Sequence, residues 1–448
     1  SWPQLPEPDH LKVERWYEAH MRPDRFLSDL IKNPPDEADK ILALHAVDRL
    51  AWRDNSQAQK RWYSLRGKLP YTPAEHDRTN RRIALAAASK QRPDARELLV
   101  NLPTSAVDAD SLEALARILL QAKDWPRLRR TINRMPISKR YENRWQYWYA
   151  VALRKDGNAA KAGKVLRDLA RVPSYYGFLA ADALAEPYAI EHQAAVNTRI
   201  DETSFLRKNP AFLRARELFF LDRRTDAKRE WFQALWELDE AELRQAATLA
   251  SSWEWHESAI RTIAKTPHRR DYRLRFPTPH LDQVSALAKD HEIDPSLIYA
   301  IMRRESLFDP WIRSGVGALG LMQLMPGTAR QVAGRLGMQD PNLYQILNTK
   351  TNIRLGVHYL RSLLALFDDH SVLATAAYNA GPARVGRWLP EQGSEDADLW
   401  IETIPFRETR DYLQAILAYS VIFDRHFDKA VRLTERMPAI VSRIASRQ

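Results

Sequence analysis

"DPSLIYAIMRRESLFDPWIRSGVGALGLMQLMP", residues 294–326, joins two different habits in one stretch. Its first half carries the local signals of a helix. Asp294 is a capping residue, Pro295 suits the first helical position, and Leu297, Ile298, Ile301 and Met302 recur on one apolar face. Glu305 falls four residues after Ile301 and shares that inward face. The second half abandons the helical pattern: Gly315, Gly317 and Gly320 follow in quick succession, and no acidic residue stands between Asp309 and Asp340. A surface segment normally carries both charges, so this stretch is shielded from water or shaped around a ligand.

That pattern has a chemical reading. A carboxyl group half-buried against Leu and Met has its charged form disfavoured, which raises its pKa. A carboxyl still protonated near neutral pH is what general-acid cleavage of a glycosidic bond requires. Glycines let backbone approach a ligand closely, and their loop can donate N–H groups. Gln323, between apolar neighbours, reads as a hydrogen-bonding group in an otherwise dry wall. "GVGALG" formally matches a dinucleotide fingerprint, but that fingerprint needs a preceding strand and a following helix. Here a helix and "DPWIRS" precede it and Pro326 soon follows, so no nucleotide cofactor is expected.

Upstream the chain reads as helix after helix. "SLEALARILLQAKDWPRLRRTINRMP" has two amphipathic halves joined at Lys123-Asp124 and stopped by Pro136. "NRWQYWYAVALRKDGNAAKAGKVLRDLARVP" repeats the plan: Trp145, Trp148 and Leu153, a turn at Asp156-Gly157, then Ala162, Leu166 and Leu169. Such pairs stack because neither helix can bury its stripe alone, which is the logic of an α-solenoid. The helical pattern continues to "RRDYRLRFPTPH", where two prolines and a basic run interrupt it. The expected division is therefore 1–190 α-superhelical, 191–275 a helical linker and 276–448 a catalytic domain, in an all-α protein.

Downstream, "NIRLGVHYLRSLLALF" reads as a core helix, and "LATAAYNAGPARVGRWL" sets Tyr378 and Asn379 at the end of a small-residue helix. That pair reads locally as capping and stands as a substrate-binding candidate. "WIETIPFRETRDYLQAILAYSVIF" gathers Glu402, Glu408, Arg410 and Tyr412 around the start of a long helix.

In order, "ES" at a helix end, "GALGLMQLMP.TA", "NI..G..YL", "AAYNAGP" and "IPF.ETR.Y" resemble the soluble lytic murein transglycosylases, motif by motif, across residues 276–448. "PSYYGFLAADALAEPY" and the helices before it are similar, less specifically, to that family's linker and superhelical region. The resemblance implies a lysozyme-like catalytic domain after an α-solenoid, ring-like or a partial ring. The helical part is substantially shorter than in full-length members. It also implies peptidoglycan glycan strands as substrate, cut between N-acetylmuramic acid and N-acetylglucosamine with a 1,6-anhydromuramoyl product. Matched position by position, Glu305 is the catalytic acid and base, and Ser314, Gln323, Met325, Tyr378 and Glu408 line the saccharide groove. A single glutamate suits a transglycosylase, whereas an ordinary glycosidase needs two carboxyl groups.

The 448 residues include no cysteine, which excludes disulfides and thiolate chemistry, and the 12 histidines are scattered without a metal-binding motif. No metal and no cofactor are expected. A net charge of +11 fits an anionic wall polymer, and no nucleic-acid motif accompanies it, so nucleic acid is not an expected partner. No apolar run is long enough for a transmembrane segment, and the first thirty residues contain no signal peptide. With no initial Met, the chain reads as a mature or trimmed form, periplasmic by its substrate. The solenoid offers a surface for other cell-wall enzymes. Three rival readings stand beside this one: a hydrolytic lysozyme using Glu402 or Glu408 as second carboxylate, a non-catalytic scaffold, and a nucleic-acid binder.

Overall fold

The computed structural model describes residues 7–33, 35–190, 201–267 and 271–442. Among them the chain forms 27 α-helices, a few 3-10 turns and one antiparallel pair of two-residue strands, Ser394–Glu395 with Ile440–Val441. The all-α expectation holds. Two compact units emerge: residues 1–169 with 402–407, and residues 170–401 with 408–448. The segments expected as linker and catalytic domain thus share one unit. The expected breaks near 190 and 275 adjoin residues 191–200 and 268–270, which lie outside the described residues.

The first unit is built from helix pairs whose ends are set locally. Asp108 accepts from the Ser111 N–H to open the Ala109–Gln121 helix. The chain then reverses through Lys123 at φ 53°, and Asp124 caps Trp125–Arg134. Asn143–Lys155 and Ala159–Ala170 repeat the plan across Gly157 at φ 81°. Trp145, Trp148, Leu153, Ala162, Leu166 and Leu169 are all buried, as the periodicity requires. Between helices, Ala43, Ala46, Ala51 and Ala58 lie fully buried beside Leu27, Val47, Trp62 and Leu65. Small side chains at these contacts let helix axes come close, and the large ones fill what remains.

Residues 402–407 belong to this unit for an electrostatic reason. Glu402 has no exposed surface, and its two oxygens meet Arg117 Nε at 3.1 Å and Arg144 Nε at 3.3 Å. Arg117 also pairs with Glu113 at 3.3 Å and lies over the Trp145 ring. A carboxylate this deep survives only when paired. Both of its oxygens are committed to arginines, so Glu402 is not offered to a substrate as a second carboxyl group.

The second unit has two aromatic-rich cores. In residues 201–267, Phe205, Phe212, Phe219, Trp231, Trp253 and Trp255 cluster. Trp231 is fully buried and donates its indole N–H to Thr262 Oγ1 at 3.0 Å. In residues 271–442, the Pro295–Ser306 helix is enclosed almost all round: Ile298, Tyr299, Ala300, Ile301 and Met302 have no exposed surface. A helix apolar on every side belongs in a core. Asp294 anchors its start, accepting from the Ser296 N–H at 3.0 Å and pairing with Lys429 and Arg436. The Arg407–Phe423 helix packs beside it, with the Phe423 ring 5.4 Å from Tyr299.

Replacing Glu402 with Ala takes the fully buried carboxylate away from Arg117 and Arg144. The expected cost is about 3–5 kcal/mol, the range for breaking one side of a buried ion pair. Urea unfolding followed by tryptophan fluorescence checks it; an unchanged midpoint would mean that the pairing contributes nothing.

Candidate active site

Glu305 sits in the last turn of the Pro295–Ser306 helix, half-buried, with some surface left for a ligand. Its deepest contact comes from another helix: Tyr412 Oη donates to Glu305 Oε1 at 2.6 Å. Tyr412 is itself only 3% exposed. Burial raises the Glu305 pKa, the Tyr412 hydrogen bond and Arg304 lower it, and the like charge of Glu408 raises it, with a net result of about 7. Burial wins because protein packed around the carboxyl removes the water that would solvate its charge. Near neutral pH this group can both give and take a proton.

The chain leaves Glu305 through a strained turn. Ser306 Oγ donates to the Met302 carbonyl at 2.9 Å and accepts from the Phe308 N–H at 3.0 Å. Leu307 and Phe308 then adopt left-handed backbone in succession, at φ 50° and 65°. That conformation costs roughly 1–2 kcal/mol for each non-glycine residue, so the surroundings must hold it.

The glycine-rich loop that follows is pinned by one buried side chain. Asn352, with no exposed surface, accepts from the Met322 N–H at 2.8 Å and donates to the carbonyls of Leu319 at 3.0 Å and Ile346 at 2.9 Å. Gly320 sits at φ +74°, and a Cβ there would lie 2.5 Å from Asn352 Nδ2. A Cβ on Gly356 would lie 2.3 Å from Met322 Sδ. The loop motif and the "NI..G" motif are therefore two halves of one fit. The expectation that the loop offers N–H groups to a ligand is narrowed by the loop's internal bonding. The N–H groups of Gly317, Ala318, Leu319, Gly320, Met322, Gln323 and Leu324 all bond within the protein.

Gln323 donates its side-chain amide to the carbonyls of Ile312 at 3.1 Å and Gly320 at 2.8 Å, which leaves its carbonyl oxygen as the end these bonds do not use. Ser314 Oγ accepts from the Ala318 N–H at 2.9 Å and shapes the same loop. Met325, 43% exposed, precedes the Pro326–Arg335 helix. Tyr378 Oη donates to the Met322 carbonyl at 2.8 Å, and its ring packs on Tyr359 at 5.2 Å. Asn379 Oδ1 accepts from Thr409 Oγ1 at 2.8 Å, joining the Ser371–Ala380 helix to the Arg407–Phe423 helix. Glu408 is exposed on the first turn of the latter.

Tyr378, Tyr412 and Glu408 are brought into electrostatic range of Glu305. Burial lifts both phenols well above their ordinary range, so they stay neutral donors while the carboxyl titrates. Ser314, Gln323 and Met325 connect to Glu305 through their loop and Tyr378. Tyr412 and Asn352 were absent from the site predicted from sequence. Tyr412 had a usable signal, since it lies four residues beyond Glu408 on one helix face.

Comparison with known proteins is consistent along most of the chain. The family model for the transglycosylase SLT domain matches residues 282–401, and that for the soluble lytic murein transglycosylase L domain matches residues 206–268. A third, for the soluble lytic transglycosylase helical domain, matches residues 403–431, on the last long helix and not on the N-terminal array. The soluble lytic murein transglycosylase of Salmonella typhimurium is 33% identical over 321 residues, 70% of this chain and 49% of that protein. That of Escherichia coli K12 is 32% identical over 320 residues. The chain spans about half the length of these curated relatives. Among solved structures, an inactive glutamate-to-glutamine mutant of the lytic transglycosylase Slt from Pseudomonas aeruginosa superposes with a TM-score of 0.83 at 31% identity, covering 96% of this chain and 75% of that one. The 70 kDa soluble lytic transglycosylase of Escherichia coli gives a TM-score of 0.81 at 26% identity, covering 97% and 70%.

The shifted carboxyl predicts a stability signature independent of any activity. Glu305 is protonated in both folded and unfolded chains well below pH 4.5 and ionised in both above about 7. Folded protein therefore loses stability as pH rises through that window, by about 3 kcal/mol for such a shift. Glu305→Gln should escape this loss, matching wild type at pH 4 and exceeding it at pH 8 in denaturant melts. Equal stabilities at both pH values would place the carboxyl in a water-like environment.

Proposed function

The chain belongs to the soluble lytic murein transglycosylase family, and from that membership we propose that it cleaves peptidoglycan glycan strands without hydrolysis. The bond broken is the β-1,4 link between N-acetylmuramic acid and N-acetylglucosamine, and the muramoyl end closes to its 1,6-anhydro form. The observation that carries this reading is the Glu305 carboxyl: half-buried, near neutrality in pKa, and hydrogen-bonded by a buried tyrosine.

Protonated Glu305 gives its proton to the glycosidic oxygen as the bond to the anomeric carbon breaks. The substrate's own N-acetyl group steadies the oxocarbenium-like centre. Glu305, now charged, is held by the Tyr412 hydroxyl, a neutral donor whose bond strengthens when its acceptor ionises. It then takes the proton of the muramoyl 6-hydroxyl as that oxygen bonds to the anomeric carbon. The proton lost in the first step is regained in the second, and no water is consumed. Ser314, Gln323, Met325, Tyr378, Asn379 and Glu408 form the saccharide groove in this reading, with the Gln323 carbonyl oxygen facing hydroxyl or amide donors.

The functional divisions 1–190, 191–275 and 276–448 are retained as superhelical, linker and catalytic regions. The setting is the periplasm, where murein lies, and the helical unit is a surface for other cell-wall enzymes. Among the described residues no helix is long and apolar enough to cross a membrane. The rival that a specific observation favours is hydrolysis with Glu408 as second carboxylate, because Glu408 is felt electrostatically at Glu305. Its exposure on a first turn argues for a groove residue instead.

Digestion of purified murein with product masses tests the proposal: anhydro products, each lighter by one water than the hydrolytic ones, are expected from wild type, and none from Glu305→Gln. Reducing-end muramic acid, or substantial lysis by Glu305→Gln, would overturn it. Activity should also decline as pH rises through about 7, since the acid form is lost. Tyr412→Phe should move that decline to higher pH, because the missing hydrogen bond had favoured the ionised form, and should lower kcat about 10-fold or more.

A further inference from the structure

The strained turn behind Glu305 is not held by the catalytic region alone. We propose that Lys228, from the 201–267 region, is a positioning residue for the reaction. It grips the turn through Asp309 and so fixes where the acid and the glycine-rich loop point. This inference rests on reading Glu305 as the proton donor.

The geometry supporting it is a short chain of charges. Lys228, in the Arg224–Ala234 helix, places Nζ 2.7 Å from Asp309 Oδ2 and 2.5 Å from Glu257 Oε2. Glu257 is 5% exposed and also accepts from Arg261 Nε at 2.9 Å. Asp309 is the first residue after Leu307 and Phe308, the two left-handed positions that carry the chain away from Glu305. Its other oxygen accepts from the Trp311 N–H at 3.0 Å, where the segment leading to Ser314 begins. One carboxylate therefore ties the exit from the acid helix to the start of the groove loop, and Lys228 holds that carboxylate in place.

A second contact comes from the same region. His256, the neighbour of Glu257 in the His256–Ile263 helix, sets its ring edge-on to Phe308 at 6.3 Å, and Phe308 is 4% exposed. The turn is thus seated by its aromatic side chain against the start of that helix and by its following carboxylate on Lys228, which Glu257 of the same helix start also holds. Burial pulls the Lys228 pKa down, but Asp309 and Glu257 outweigh it and raise it. The ammonium stays charged wherever Glu305 titrates, so the grip is constant across the working range. Lys228 touches no reacting atom in this reading; it acts through the turn.

Small displacements of a catalytic group lower turnover more than binding, and that difference is what the test reads. The full chain is compared with Lys228→Met, Lys228→Arg, Asp309→Asn and the Lys228→Met/Asp309→Asn double variant on purified murein, with melting temperatures measured alongside. The expected result is a kcat loss of about 10-fold or more in Lys228→Met with KM within about twofold, and recovery to within about threefold of wild type in Lys228→Arg. Asp309→Asn should show a similar loss, and the double variant should be no worse than either single one, since all remove the same link. Wild-type kcat in Lys228→Met overturns the inference. So does an additive loss in the double variant, or a loss shared by kcat and KM that Lys228→Arg fails to rescue. Should Lys228→Met not fold, Asp309→Asn decides alone: a kcat-specific loss supports the inference and a wild-type kcat overturns it. Failure of the underlying reading looks different. Then Glu305→Gln remains active or wild type yields hydrolytic products, whatever the Lys228 variants do.

Discussion

A glutamate carboxyl group held by a tyrosine hydroxyl at 2.6 Å is the contact on which the proposed chemistry turns. Two opposed effects meet there. Burial strips water from Glu305 and favours the neutral acid, while the phenol favours the anion, and burial prevails. Without the phenol the acid would hold its proton more firmly and ionise only at higher pH. Without burial it would already have lost the proton at neutral pH.

The other deep glutamates show how unusual that arrangement is. Glu402 is buried between Arg117 and Arg144, and Glu257 is buried beside Lys228 and Arg261. Each meets the cost of burial with cations in direct contact, and each ties chain segments together. Glu305 has no ion pair among the described residues; its direct partner is a neutral hydroxyl. One residue type thus serves as a structural tie in two places and, in the proposed mechanism, as the proton donor in a third. The difference lies in the neighbours, not in the glutamate.

Around that acid, motifs far apart in sequence fit as complements. Gly320 leaves room for the Asn352 amide, and Gly356 leaves room for the Met322 sulfur. Asn352 then satisfies the backbone of the loop, and Tyr378 closes over the Met322 carbonyl. Most of the loop's amides from Gly317 to Leu324 are used in holding its shape.

Read alone, the amino-acid sequence determined what depends on near neighbours. The all-α class, the helix pairs with their turns at Lys123 and Gly157, the Asp294 cap and the inward face carrying Glu305 all follow from spacings of a few residues. Caps, glycine turns and 3.6-residue periodicity act within one or two helical turns, so they are legible in a linear string. The motif order likewise marked Glu305, Tyr378 and Glu408 as belonging together. Only the tertiary structure decided how strongly Glu305 holds its proton, that Glu402 is a structural tie, and that Lys228 reaches the turn behind the acid. Tyr412 lies 107 residues from Glu305 and Lys228 lies 81 from Asp309. A pKa depends on what surrounds a group in space, and packing sets those surroundings by bringing together segments whose separation along the chain carries no mark of the meeting.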